Sequence, residues 1–399
     1  MRIVLLLGYA LLVACAETST TQPPAQPDPP PVTQDAYITV GTPVENFMPV
    51  TAAVATVEAN YGSGAHSIVT LDGDGNLNAL NELLSDDSDL SVAAYGDSFY
   101  RIGRLYAGNN IARLRFDAPR DVLWQYSTNE VNSAVASNPY DIVFVSDTKA
   151  YVLRYNSTAI WIVNPSASTL AEFKTGEIDL SAYGGDDGVP DMGAATIANG
   201  KLFVALQRLE GPSYQVVQQA YVAVIDIASD QEIDAGIAGD NLKGIPLQVR
   251  NPTDILYHAP SGTLFVQGSG SFFPMDYSGG IETIDVATYQ TTLIHDDGET
   301  YGLITGLQPV SDNVIYFTGY RAYDDISLYV MDIQTGRIVP TKVAALLQSQ
   351  IADLALDTQG LLWVADSAQA TVRLIDPATG EQIASVYTSL NPDRIVFAD

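Results

Sequence analysis

From about residue 36 onward, apolar residues come in short alternating or β-branched runs, set between Gly, Pro, Asn and Asp clusters. No stretch keeps the spacing of an amphipathic helix of several turns, so the pattern predicts strands joined by tight turns. One unit recurs, an apolar or alternating strand that closes on Asp or Asn. It reads HSIVTLD to Asp72, ARLRFD to Asp117, AIWIVN to Asn164, YVAVID to Asp226, GIETID to Asp285, SLYVMD to Asp332 and TVRLID to Asp376. The seven copies are spaced by 45, 47, 62, 59, 47 and 44 residues. A repeat of that length holds about four strands, the content of one propeller blade. The predicted fold class is therefore all-β, a seven-bladed β-propeller.

The strands of a unit can be assigned in order from the axis outward. In the third copy DIVFVS is the inner strand, KAYVLRY the second, AIWIVN the third and AEFKTGEI the edge. In the seventh, DLALD, LLWVAD, TVRLID and QIASVYT take the same places. The first copy has no inner strand ahead of residues 52–58. The chain ends on NPDRIVFAD, which repeats the inner-strand openings Asn138-Pro139-Tyr140-Asp141-Ile142 and Asn251-Pro252-Thr253-Asp254-Ile255. The C-terminal strand is thus expected to complete blade one and remove two open sheet edges. Two smaller β domains would need a linker in mid-chain, and the sequence has none.

The N-terminus carries a different message. Residues 1–14 combine Arg2 with an apolar stretch too short for a permanent membrane helix, the form of a signal peptide. Leu12-Val13-Ala14-Cys15 resembles the bacterial lipobox, and Cys15 is the only cysteine of the chain. The resemblance implies lipidation of Cys15, palmitate included, and a membrane held through that lipid. Residues 15–35 are Pro-, Thr- and Gln-rich and predict an extended tether reaching roughly 60 Å. By resemblance to enterobacterial lipoproteins, Ala16 after the cysteine implies the outer membrane, with the domain facing the periplasm or the cell surface. The propeller then spans 36–399, expected as a monomer.

Charge narrows the partners. The chain has 18 basic and 47 acidic residues, a net charge of −29. Phosphate binding needs clustered Lys and Arg, so nucleic acid is excluded as a partner. A strongly anionic substrate is disfavoured unless a local Arg cluster overrides the field. A single Cys excludes a disulfide framework and a cysteine zinc site.

The strand grammar, with LFVAL or LLWVAD followed by VAVID or VRLIDPATG, resembles the bacterial YVTN-type seven-bladed propellers over roughly residues 36–399. Together with the lipobox it is similar to surface lipoproteins that capture ligands for outer-membrane transporters, those for cobalamin first among them. That resemblance implies a small-molecule ligand or an outer-membrane transporter as partner.

In a propeller, second-to-third-strand loops and edge-to-next-blade links share one face, the top. The two long spacings add residues there: 180–191, 208–219 and 239–250, with 268–280 and 319–327 in the following blades. Long loops on a rigid scaffold carry binding, and Tyr and Arg are enriched at binding hot spots. Phe272, Phe273, Tyr277, Tyr320 and Tyr323 are the expected aromatic contacts, with Arg208 and Arg321 orienting a polar or anionic group. Blades four, five and six are expected to bring them to one rim. Bottom turns such as 357–360 are short, and Asp357 is expected to be dispensable.

Asp89, Asp141, Asp191, Asp254 and Asp353 stand at inner-strand openings. Asp141, Asp254 and Asp353 are the candidates for a hard cation such as Ca²⁺; the alternative is that each caps its own turn. No other cofactor is expected. The run 72–76 (DGDGN) fails the EF-hand pattern at its sixth and twelfth positions and predicts a turn. His66, His258 and His295 fall in different blades, and only His66 and His295 border top loops. No G-x-S-x-G elbow or phosphate-binding glycine loop occurs, so no catalytic residue is assigned. The expected function is a non-enzymatic envelope binding protein. The alternatives are an envelope-assembly scaffold and a propeller enzyme of lactonase or quinoprotein type.

Overall fold

The structure is a computed structural model that describes residues 37–398, residue 238 excepted. Seven small antiparallel sheets form a closed seven-bladed propeller, each inner strand packing on the next around the ring. Blade one takes its inner strand from the C-terminus, Asn391–Phe397, and continues with Val50–Val57, Gly64–Leu71 and Leu77–Asp86. The ring closure read from the repeated Asn-Pro opening is thus the one the chain adopts. The remaining inner strands are Leu90–Tyr95, Pro139–Ser146, Met192–Ala198, Pro252–His258, Leu303–Pro309 and Ile351–Leu356. Cys15 and the tether 15–35 lie outside the described residues.

The Asp or Asn that closes each third strand has a physical task. The carboxylate of Asp285 accepts the backbone N–H groups of Ala287 and Thr288, at 3.0 and 2.7 Å, and Asp332 accepts those of Gln334 and Thr335. Asp72, Asn164, Asp226 and Asp376 do the same in their blades. In blades four to seven the residue four positions on donates back to the closing Asp carbonyl from a left-handed conformation; in two of these it is Gly336 or Gly380. Asp117 departs from the rule and pairs with Arg115 instead. The 72–76 run is this turn, as its sequence predicts.

The inner-strand openings share a second device. In six blades the register slips by one residue at the top of the inner strand, leaving Tyr140, Gly193, Thr253, Thr305, Ala352 and Asp393 out of the ladder. Ahead of the slip stand Asn138, Asp191, Asn251 and Gly302, all at positive φ. These are the residue types that tolerate the left-handed region. Proline follows Asn138 and Asn251 because the first strand position needs no N–H.

Local departures from the expected strands are small. Residues Leu170–Phe173 make one helical turn and the third edge strand begins only at Lys174. Blade four has an edge strand of two residues, Gln231–Glu232, and recruits Ile245–Pro246 from its long link to pair beside it. Asp357 is not dispensable. It is buried, accepts the N–H groups of Gln359 and Leu361 at 2.9 and 3.0 Å, and receives the Trp363 indole N–H at 3.0 Å.

Residues 37–49 form a strap over the bottom face. Tyr37 wedges between Tyr316 and Gly380, and Val40 donates to the Pro377 carbonyl. Phe47 covers Gly75, and Met48 is clasped on both backbone groups by the Gln359 amide. Every one of these partners other than Tyr316 lies in a bottom turn of blade seven or blade one.

Candidate functional site

The top face opens into a cavity of about 390 Å³. Its walls come from blades two to five. Tyr106 stands on the blade-two loop, Tyr140 and Tyr155 on blade three, Tyr214 on blade four, and Phe272 and Phe273 on blade five. The residues ahead of the inner strands position these loops. Asp89 accepts the N–H of Tyr106 at 3.0 Å, and Asn138 accepts that of Leu105 at 3.1 Å. Asp191 accepts the N–H of Leu209 at 2.8 Å, fixing the root of the 208–219 loop. Asn251 donates to the Gly270 carbonyl at 2.8 Å and does the same for the 268–280 loop. The strand-entry carboxylates Asp89 and Asp191 are thus loop anchors.

Within the cavity, Tyr140 and Tyr155 stack with centroids 4.3 Å apart. The Tyr155 hydroxyl donates to Gln207 at 2.6 Å. Arg104 lies over the ring of Tyr140, 5.3 Å from its centroid, and its guanidinium meets Asp89 at 2.9 Å. Burial pushes the Asp191 carboxyl up to about 7, its bond from Leu209 opposing and the neighbouring Asp187 and Glu210 reinforcing the shift.

The expected rim of blades four to six is displaced. The long loops of blades four and five lean over blades two and three. Phe272 and Phe273 enter the cavity, and Tyr320 reaches it only indirectly, buried with its ring edge-on to Phe272 at 5.1 Å. Tyr277 is exposed, and Tyr323 lines a separate shallow recess with Tyr61. Neither expected arginine is aimed at a ligand. Arg208 donates to the carbonyls of Tyr183 and Gln219, and Arg321 pairs with Asp325 at 3.0 Å. Tyr140, Tyr155 and Arg104 carry no mark in the repeat spacing. The signal that points to Tyr140 is its place one residue past the Asn-Pro opening, where the ladder slips and the side chain is freed toward the mouth.

A second group of charged residues stands on the inner strands. Asp141, Asp254, Asp353 and Arg394 occupy the same position in blades three, five, seven and one, the first paired residue after the slip. Burial works against the Arg394 charge, but Asp353, Asp254, Asp141 and Asp393 outweigh it and hold the guanidinium above its usual range. Asp353 approaches it at 3.8 Å and accepts the Ile395 N–H at 2.8 Å. Asp141 and Asp254 accept the N–H of the following residue. This arrangement does not fit a Ca²⁺ ion, because a fixed cation already stands among the carboxylates. Among the described residues, no three His, Cys, Asp or Glu side chains converge in a metal-holding group.

The histidines are structural. His66 is fully buried beside Phe99 and bonds the Pro119 carbonyl at 2.8 Å; burial, then Arg101, lowers its pKa to about 4. His295 packs between Tyr301 and Phe317, and His258 bonds Ser261 in a bottom turn.

No protein-family model and no curated protein matches the chain. Solved structures do. A proposed 6-phosphogluconolactonase from Bacteroides fragilis is 13% identical, with a TM-score of 0.59 over 88% of this chain and 98% of its own. A protein from Lactobacillus plantarum is 14% identical, with the same TM-score over 88% of this chain and 100% of its own. Streptogramin B lyase is 13% identical, with a TM-score of 0.54 over 81% and 96%. At such identities the likeness shows the propeller fold alone.

Proposed function

We propose that the protein is a lipid-anchored envelope binding protein that captures a small molecule in the aromatic cavity of its top face. The observation that carries this reading is the convergence of loops from four blades on one concave site within the size range of small-ligand pockets. Rigid strands hold the loop roots through Asp89, Asn138, Asp191 and Asn251, so the cavity exists before a ligand arrives and little ordering is needed on binding. The anchor rests on Cys15 and its lipobox-like context. Docking of an outer-membrane transporter on the same face is supported by the exposed rings of Phe273, Tyr277 and Tyr323, carried on the loops of blades five and six.

Two measurements test the reading. Cys15→Ser is expected to move the protein from the membrane to the soluble fraction with its fold intact; retention in the membrane overturns the anchor. The soluble Cys15→Ser protein, incubated with small molecules extracted from spent growth medium, is expected to show a discrete adduct in native mass spectrometry. Adding Tyr214→Ala and Phe273→Ala should weaken that adduct by tenfold or more, since an aromatic anchor is commonly worth about 1–2 kcal/mol. An adduct that survives both substitutions overturns the cavity assignment.

A further inference from the structure

The cavity has a chemical preference that its aromatic walls and surrounding charges specify together. Six rings line it: Tyr106, Tyr140, Tyr155, Tyr214, Phe272 and Phe273. The arginines nearest the mouth are all committed. Arg104 is held by Asp89 and covers Tyr140, Arg208 is spent on two carbonyls, and Arg250 donates to the Val217 carbonyl at 3.0 Å. An incoming anion therefore meets guanidinium groups already engaged, inside a chain of net charge −29.

The carboxylates around the same walls act in the opposite sense. Burial first, then Asp191, the Tyr106 phenol and Asp187 in that order, raises the Tyr214 phenol above its ordinary range. Tyr155 is pushed up by burial and by a set of neighbours that includes Asp191 and Asp187. The same two carboxylates thus bear on phenols of two different blades. Glu210 stands on the loop that walls the cavity, and its carboxylate accepts the Asp186 N–H at 2.9 Å, which brings the link bearing Asp187 against that loop. The cavity wall already shows this chemistry in the guanidinium of Arg104 laid on Tyr140.

We propose that the cavity takes an organic cation, an alkylated ammonium group carried on an apolar body. The proposal rests on the reading of this cavity as a small-molecule site. Aromatic faces attract a cation through their quadrupole, and they do so best when the group is weakly hydrated and makes no demand for hydrogen bonds. An alkylated ammonium meets both conditions. Its charge is balanced at longer range by Asp187 and Glu210, while its methyl groups and apolar body fill the ring-lined space. A phosphate or carboxylate ligand would gain nothing from the rings and be repelled by the acids.

The test uses a matched pair. Choline and its carbon isostere 3,3-dimethylbutan-1-ol share shape and hydroxyl and differ in charge. Each is titrated into the soluble Cys15→Ser protein by calorimetry, with 3,3-dimethylbutanoate as the anionic member. Choline is expected to bind at least fivefold tighter than the alcohol, and the anion not measurably. Tyr106→Ala and Tyr214→Ala should each weaken choline at least fivefold, while Tyr106→Phe retains it, because the ring face and not the hydroxyl makes the contact. Asp187→Asn should weaken choline about two- to threefold through the lost charge. Equal or tighter binding of the alcohol or the anion overturns the cation assignment and leaves the cavity as a small-molecule site. Failure of all three probes to bind below about 10 mM also overturns it. The native-mass adduct then decides the capture reading by itself.

Discussion

Asp191 does its work at a cost that pH exposes. Its carboxylate ties down the 208–219 loop from a buried position, where desolvation moves its pKa from 3.8 to about 7. Asp297 is shifted to about 7 for the same first reason. In both cases the folded state holds a proton that the unfolded chain has already released, so the contribution to stability falls as pH rises from about 4 to about 7. Asn carries no charge, and its carbonyl can keep the loop bond. Asp191→Asn and Asp297→Asn are therefore expected to gain stability relative to the parent at about pH 8 but not at about pH 5. The difference is on the order of 1–2 kcal/mol each, read from urea unfolding at the two pH values. Asp357 is the contrary case. Its three accepted bonds include the indole of fully buried Trp363, and Asp357→Ala orphans those donors. The expected loss is about 3 kcal/mol in the same measurement.

At the level of elements, the repeat was legible because most blades share two backbone tasks. The closing Asp or Asn takes up turn N–H groups, and the residue ahead of the inner strand turns left-handed. Both tasks restrict residue type, so both leave a mark in the sequence. The edge strands leave less. Blade four keeps only Gln231–Glu232 there, and the turn Leu170–Phe173 replaces the start of the edge in blade three. An edge position faces one neighbour and tolerates most side chains, so pattern cannot fix its ends. The closing strand was legible because it repeats the Asn-Pro opening of other inner strands, and it packs between the inner strands of blades seven and two. Its removal is correspondingly severe. Deleting residues 391–399 strips Val50–Val57 of its ladder partner and takes Arg394 from among Asp141, Asp254 and Asp353. The shortened chain is expected to lose cooperative thermal unfolding in calorimetry, and retention of a native-like transition would contradict the closure.

For the whole molecule, the face that carries the site could be read from loop length, but the sector could not. Spacing counts the residues a loop adds and carries no record of the direction in which they fold. That direction is set by anchors such as Asp191 to Leu209 and Asn251 to Gly270, contacts between residues 18 and 19 positions apart. Arg208 and Arg321 were expected at the mouth because arginine suits binding, yet carbonyl groups and Asp325 within the protein claim them first. Tyr140, at the slipped opening of its strand, and Tyr155, in the turn that follows Lys149–Arg154, gain their role only when the ring closes and sets blade three beside the loops of blade four.

The strap of residues 37–49 gives the propeller a handle. Because it is laced to the turns of blades seven and one on the underside, any load arriving along the preceding chain is delivered to the face opposite the cavity. The pull falls on the blades that flank the closure seam and not on the loops that hold the rings. Under the anchoring proposed for Cys15, that attachment would turn the mouth of the cavity away from the membrane, like a cup hung from its base. Under the same proposal, ligand access and mooring would lie at opposite poles of the propeller, and a change in the length of residues 15–35 would leave the cavity unaltered.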